Sequence, residues 1–196
     1  LRRMGLDVAP RRIVLAGTTA IDEIAQRRPR ARIAMLASRS LCLYARDHGL
    51  NPVRERPEIV FLGRDRHFDF QRLAQIANVL RDGAEFVVAN PDLVHPGPDG
   101  TVVPETGALL AAILACTGPV PHRIVGKPEP ALFEAGLKLL GLPKRAVMMV
   151  GDNPATDGEG ARRFGLRYFE LRRGVFPRWD EGVSCRDGAD MLAFTA

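Results

Sequence analysis

Two acids, Asp152 and Asp157, stand five residues apart in the stretch Val150-Gly-Asp-Asn-Pro-Ala-Thr-Asp-Gly-Glu-Gly160, directly after the apolar run Ala146–Val150. Carboxylates that stay ionised at the end of a buried strand need a partner, and a hard divalent cation with oxygen ligands is the usual one. A structural role competes with that reading. Asp152 or Thr156 would equally serve to cap the helix that follows the turn, and residue types alone do not separate the two. A second strand end carries the opposite charge. In Ile124-Val-Gly-Lys-Pro-Glu-Pro130 a strand stops at Gly126, Lys127 follows, and Pro128 stands where a helix would open. A lysine at the mouth of a parallel sheet balances acids or holds a phosphate oxygen as a point charge, whereas most lysines are simply solvated. Two successive strand ends reading Gly-Lys-Pro and Gly-Asp-Asn-x-x-Thr-Asp form a constellation that solvent exposure does not account for.

The elements that must position these residues alternate along the chain. Arg12–Ala16, Ala31–Leu36, Glu58–Leu62, Glu85–Ala89, Arg123–Val125, Val147–Val150 and Arg167–Leu171 read as strands. Between them lie helical patterns: from Thr18 or Thr19 to about Gln26, a segment ending at Gly49, Phe70–Leu80, Gly107–Cys116 and Pro130–Leu140, with another between the last two strands. The Pro/Gly-rich stretch from Asn90 to Pro104 reads as a loop, and Gly118-Pro-Val-Pro-His122 as a boundary. Such alternation predicts a parallel sheet with helices on its faces and ligands at the carboxyl ends of its strands.

The ordered motifs resemble those of the haloacid dehalogenase superfamily, and within it the phosphatases with a large C2-type cap, such as the NagD proteins, p-nitrophenylphosphatases and phosphoglycolate phosphatases. Gly63-x-Asp65, Ala89-Asn-Pro-Asp92 and Thr106-Gly-Ala-Leu109 look like landmarks of the cap. Gly126-Lys-Pro128, Gly151-Asp-Asn-x-x-Thr-Asp157 and Gly160-Ala-x-x-x-Gly165 look like the returning core. The resemblance covers nearly the whole chain. It implies an α/β protein in which residues 11–120 form the C2-type cap. Residues 1–10 and 121–196 then belong to a partial Rossmann-like core, a parallel sheet with helices on both faces. It further implies Mg²⁺ bound through Asp152, with Lys127 steadying the nucleophile and the phosphoryl group. Asp157 then orients Lys127 or metal-bound water from behind. Asn90 and Asp92, with Lys127, become substrate-binding residues.

The family's nucleophile lies in a strand ending Asp-x-Asp-Gly near the N-terminus, and no such motif occurs in these 196 residues. Leu1–Val8 instead resembles the helix end and connection just before the cap. Pro98-Asp-Gly-Thr101 lacks the first aspartate and a preceding apolar strand, and is read as a β-turn. The nucleophile is therefore expected upstream of Leu1, and the chain alone is expected to be inactive. Glu105 departs from the family, where glycine is common beside Thr106-Gly107. A short helix is expected over Gly188–Phe194.

Composition narrows the partners. The net charge is +5, yet the arginines come as scattered doublets, and aromatics are only 6%, with no stacking cluster beside a basic stripe. That pattern argues against nucleic acid and suits a small phosphorylated metabolite. Three separated cysteines without a Cys-x-x-Cys motif suit a reducing cytoplasm rather than a disulfide framework or a zinc site. No apolar run reaches the roughly 18 residues that span a bilayer, so no membrane partner is expected. The reading is thus a Mg²⁺-dependent phosphatase acting through an aspartyl-phosphate, possessing a cap through which relatives often pair as homodimers. Its rivals are a non-catalytic phospho-ligand-binding or regulatory relative and a receiver-like signalling domain. The second is disfavoured because it leaves the cap-like stretch unexplained.

Overall fold

Apolar strand runs and amphipathic helices alternate from Leu15 to Gly126 and build one compact unit, while Leu1–Val14 and Lys127–Ala196 fall into a second. The computed structural model describes residues 5, 7–97 and 100–171. The expected helix at 188–194, the first residues of the chain and the turn at Asp99 lie outside the described residues.

In the first unit, α1 (Ala16–Arg27), β1 (Arg32–Leu36), α2 (Arg39–Asp47), β2 (Asn51–Pro52), β3 (Ile59–Leu62), α3 (Phe70–Arg81) and β4 (Glu85–Val88) follow in order. A hairpin of β5 (Val94–Pro96) and β6 (Val102–Pro104), then α4 (Thr106–Thr117) and β7 (Arg123–Ile124), complete it. The five-stranded sheet has the order β2-β1-β3-β4-β7, and every pairing in it is parallel. Because a strand turns alternate residues to opposite faces, Ala34, Leu36, Val60, Leu62, Phe86 and Val88 share one face. There they form a single buried cluster with Ile76 and Leu80 of α3 and Leu110 and Ile113 of α4. Ile33, Met35, Ile59, Phe61 and Val87 are left for the other face and are equally buried, which is why these strands read as unbroken apolar runs. Ser38 and Asp69 cap α2 and α3 by accepting backbone N–H bonds from Leu41 and Arg72.

Four expectations change here. Arg12–Ala16 is not a strand. Pro10–Arg12 forms a 3₁₀ turn closed by Arg12 N–H donating to Ala9 O, and α1 already begins at Ala16. Neither Thr18 nor Thr19 caps α1: its cap is Leu15, and the Thr18 hydroxyl donates back to Leu15 O. The stretch 90–104 contains the β5–β6 hairpin rather than loop alone. The chain crosses between units at 126/127 instead of 118–122, because Arg123–Ile124 adds to β4 as the outer strand of the first sheet.

In the second unit, α5 (Ala131–Leu140), β8 (Met148–Gly151), α6 (Glu159–Phe164) and β9 (Arg167–Glu170) make a parallel two-stranded sheet with flanking helices. Its strand β8 was expected to be buried. Met148, Met149 and Val150 are only half-buried, unlike the strands of the first unit. Two strands cannot enclose both faces of a parallel sheet. Lys144 closes α6 from outside: its Nζ donates to Phe164 O at 2.8 Å and sits 3.7 Å from the centre of the Phe164 ring. No helix among the described residues is long and apolar enough to cross a membrane.

The chain has two tyrosines, and both are poor acids. Burial, and then the hydroxyl's bond to Asp22 at 2.9 Å, push Tyr44 up to about 12. Burial and the carboxylates around it also raise Tyr168. A phenol whose folded pKa is raised adds stability that is complete below the unfolded value of about 10 and is lost as pH climbs toward 12. Titration followed at 295 nm should therefore show both phenolate steps displaced above the ordinary tyrosine value of about 10, and Tyr44→Phe should remove the step near 12. A full two-tyrosine transition at pH 10 would contradict the packing of both rings.

Candidate active site

The turn after β8 is wider than an α-helical one. Asn153 O accepts from Thr156, Asp157 and Gly158 N–H at 3.2, 2.8 and 3.4 Å, so Pro154–Gly158 winds as a π-helical turn before α6 begins. Such turns are rare and recur at functional sites. The cap of this turn is neither of the residues proposed for it. Asn153 holds it, its side chain accepting from Ala155 N–H at 3.0 Å.

The extra width carries Asp157 inward. It is 3% exposed, its Oδ2 accepts the Asn153 N–H at 3.3 Å, and its Oδ1 lies 2.6 Å from Lys127 Nζ. The two strand-end motifs thus meet within one unit through a near-buried carboxylate and a lysine whose side chain is 35% exposed. That geometry leaves the ammonium one face for the carboxylate and another toward solvent, as a group that must accept an anion requires. Two glycines make room for the arrangement. A Cβ on Gly151 would lie 2.1 Å from Asp157 Oδ2, and one on Gly160 would lie 2.5 Å from the Phe133 ring and 3.0 Å from Pro128 O. Tyr168 bonds Gly151 O through its hydroxyl at 3.1 Å, fixing the strand end from the other side. The helix after Lys127 opens at Ala131, capped by Pro130, three residues beyond Pro128.

Asp152 differs from Asp157 in every respect. It is exposed, and its carboxylate makes no hydrogen bond or ion pair among the described residues. It stands one residue past the strand end. Asn90 and Asp92 follow β4 in the first unit and bond one another, Asn90 Nδ2 donating to Asp92 Oδ2 at 2.9 Å. Two acids of that unit that stood out in the sequence, Asp65 and Glu105, have partners that the sequence did not indicate. Glu105 is held by His95 Nδ1 at 2.6 Å and by Arg64 Nη1 at 3.4 Å, and Asp65 is buried against Arg72. Pairing across 41 positions to Arg64 leaves no local pattern; only the unusual acid at 105 gave a signal. The tight entry to α4 is explained by Gly107, whose Cβ would stand 2.1 Å from Pro91 O.

Comparison with known proteins gives the chain's relatives. The HAD-hydrolase-like family model matches residues 124–187, which include Lys127, Asp152 and Asp157. The dihydroxyacetone phosphatase of Corynebacterium glutamicum is 30% identical over 175 residues, covering 89% of this chain and 63% of that protein. The acid sugar phosphatase of Staphylococcus epidermidis is 31% identical, covering 89% and 67% respectively. The chain thus spans about two thirds of the length of these relatives. Among solved structures, the glycerol phosphate phosphatase of Mycobacterium tuberculosis in complex with calcium superposes with a TM-score of 0.80 at 32% identity, over 92% of this chain and 54% of that one.

Proposed function

This chain belongs to the haloacid dehalogenase-like hydrolases, with the NagD-like phosphatases, and from that premise we propose that the protein carrying it is a Mg²⁺-dependent phosphatase of a small phosphate monoester. The observation that carries the reading is the Lys127–Asp157 pair at 2.6 Å, in the turn that also carries the exposed Asp152, which has no partner among the described residues.

In this reading Lys127 binds and steadies a phosphoryl oxygen as a cation. Asp157 keeps the ammonium aimed, and its burial prevents it from turning to solvent instead. Asp152 holds the metal. Among the described residues no three His, Cys, Asp or Glu side chains gather into a complete metal cage. The exposed carboxylate of Asp152 suits Mg²⁺, which keeps several waters and takes one or two carboxylates along with substrate phosphate oxygens. When bound, the cation neutralises charge on the phosphoryl group. A carboxylate oxygen attacks phosphorus, the alcohol departs, and water then splits the aspartyl-phosphate to free the carboxylate and inorganic phosphate. No Asp-x-Asp-Gly motif occurs in these 196 residues, so the attacking aspartate belongs to the family's N-terminal motif. The relatives named for sugar, dihydroxyacetone and glycerol phosphates point to a polyol phosphate. Asn90 and Asp92 are then the substrate-binding acceptors and donor for its hydroxyls. The unit formed by residues 15–126 is the cap and the candidate homodimer surface, and three separated cysteines without a Cys-x-x-Cys motif favour the cytoplasm. A non-catalytic phospho-ligand-binding protein would keep Lys127 and the acids but release no phosphate.

The test is phosphate release by the longest gene product containing this chain, assayed with dihydroxyacetone, glycerol and sugar phosphates, with and without EDTA. Release with Mg²⁺ and its loss in EDTA are expected. Phosphate binding without release from any ester would favour the non-catalytic reading.

A further inference from the structure

Glu105, the acid that departs from the family pattern, stands directly before Thr106-Gly107 at the entry to α4. Its side chain caps nothing, since it accepts no bond from the first turn of the helix. The backbone ties it to the carboxyl end of β4: its N–H donates to Leu93 O at 2.9 Å, and the Gly107 N–H donates to Asp92 O at 2.7 Å. The side chain reaches the neighbouring strand end. Its Oε1 lies 3.4 Å from Nη1 of Arg64, two residues past β3, and 2.6 Å from the buried Nδ1 of His95 in β5.

Both contacts fall on one oxygen. Oε2 takes no hydrogen bond or ion pair from the described residues and remains open to solvent. The consequence is one of charge. Arg64 is 46% exposed and has no other ionic partner among the described residues. Alone at these strand ends, its guanidinium would draw a carboxylate group, whose two oxygens match the arginine fork. Glu105 cancels that charge and puts an accessible acceptor oxygen beside it. The carboxylate of Asp92, joined to Asn90, belongs to the same strand ends. Two acids therefore stand there with one arginine, a balance that opposes an incoming anion and suits a hydroxyl donor.

We propose that Glu105 is a specificity-determining residue, turning away phosphate esters whose alcohol part carries a carboxylate and admitting those whose alcohol part carries hydroxyls. The inference rests on the reading in which Asn90 and Asp92 meet the substrate, and adds to it a named residue and an excluded class. Oε2 accepts a hydrogen bond from a substrate hydroxyl, and the same oxygen repels a carboxylate in that place.

Two probes isolate the charge. Glycerol 3-phosphate and 3-phosphoglycerate share a carbon skeleton and a phosphate, and differ in a CH₂OH group against a carboxylate. Each is given to the longest gene product containing this chain, and kcat/KM is measured with Mg²⁺. The unaltered protein should favour glycerol 3-phosphate by at least about tenfold. Glu105→Gln removes the charge and keeps the shape, while Glu105→Gly also frees Arg64. The preference should fall at least about tenfold in Glu105→Gly and by less in Glu105→Gln. Adding Arg64→Ala to Glu105→Gly should cancel the gain for 3-phosphoglycerate. Damage to packing would lower both esters alike and leave the ratio where it was. Where neither probe is hydrolysed, the ratio is taken from dissociation constants measured by calorimetry on the same proteins; failure of every ester counts against the phosphatase reading, not against this one. An unaltered protein that prefers 3-phosphoglycerate, a ratio unmoved in both variants, or no binding of either compound overturns the proposal. The first of these uses the unaltered protein, and the isosteric Glu105→Gln stands in if Glu105→Gly fails to fold.

Discussion

Gly151→Ala is expected to dismantle the Lys127–Asp157 pair although it adds one methyl group. The new Cβ would lie 2.1 Å from Oδ2, 2.5 Å from Cγ and 2.7 Å from Cβ of Asp157. Those atoms are not the far end of a flexible chain. Asp157 is fixed in the π-helical turn by three bonds converging on Asn153 O, and Tyr168 ties Gly151 itself. Something must give, and the turn is the softer partner. Overpacking typically costs about 1–3 kcal/mol, and separating the carboxylate from Lys127 while it stays buried adds a comparable amount. A total of about 2–6 kcal/mol is expected in urea unfolding of the unit containing residues 127–171, with the transition of residues 15–126 unchanged. Asp157→Gly in the same chain should recover part of that loss, because it removes both the collision and the buried charge. The two substitutions are therefore expected to be strongly non-additive. A Gly151→Ala protein within about 0.5 kcal/mol of the wild type, the scatter of a neutral change, would show that this carboxylate is not where the geometry puts it.

The sequence carried the alternation of strands and helices, and the burial of β1, β3 and β4, because parallel strands covered on both faces become continuous apolar runs. It misread Arg12–Ala16, where an apolar run has no neighbouring strand to pair with, since apolarity marks burial and not pairing. It missed β2 and the β5–β6 hairpin for the converse reason. Pro52, Pro96 and Pro104 sit inside those strands and read as breakers, and are tolerated there because the segments are two or three residues long. Of the site, the charged residues were legible and their difference was not. Asp152 and Asp157 are equivalent acids in a turn until the i→i+5 bonding swings one inward, and no residue pattern specifies a π-helical turn. Long-range ion pairs were equally invisible. Arg123 and Glu23 are 100 positions apart, so their pairing exists only in the fold.

That difference between the two acids sets the last expectation: isosteric amides at 152 and 157 should fail in opposite ways. Asp152 is exposed and engages no partner among the described residues, so Asp152→Asn should leave stability within about 0.5 kcal/mol. Its loss should fall on the metal. The stabilisation that Mg²⁺ or Ca²⁺ gives in thermal unfolding follows from binding the folded state alone, and it should vanish in Asp152→Asn. Activity of the complete gene product should fall by about 10²-fold or more, as when a preorganised charge is removed from a transferring phosphoryl group. Asp157→Asn meets the reverse situation. Its amide keeps the shape but leaves Lys127 without a counter-charge and places an NH₂ or a neutral oxygen against the ammonium. Metal-induced stabilisation should survive while the unit itself loses about 1–3 kcal/mol, below the value for a wholly buried pair because Lys127 is 35% exposed and turns partly to water. Thermal unfolding with and without metal separates the two cases without any assay of turnover. Equal metal response in both variants would mean that Asp152 is not a ligand. Equal stability loss would mean that the buried and exposed carboxylates have been assigned the wrong way round.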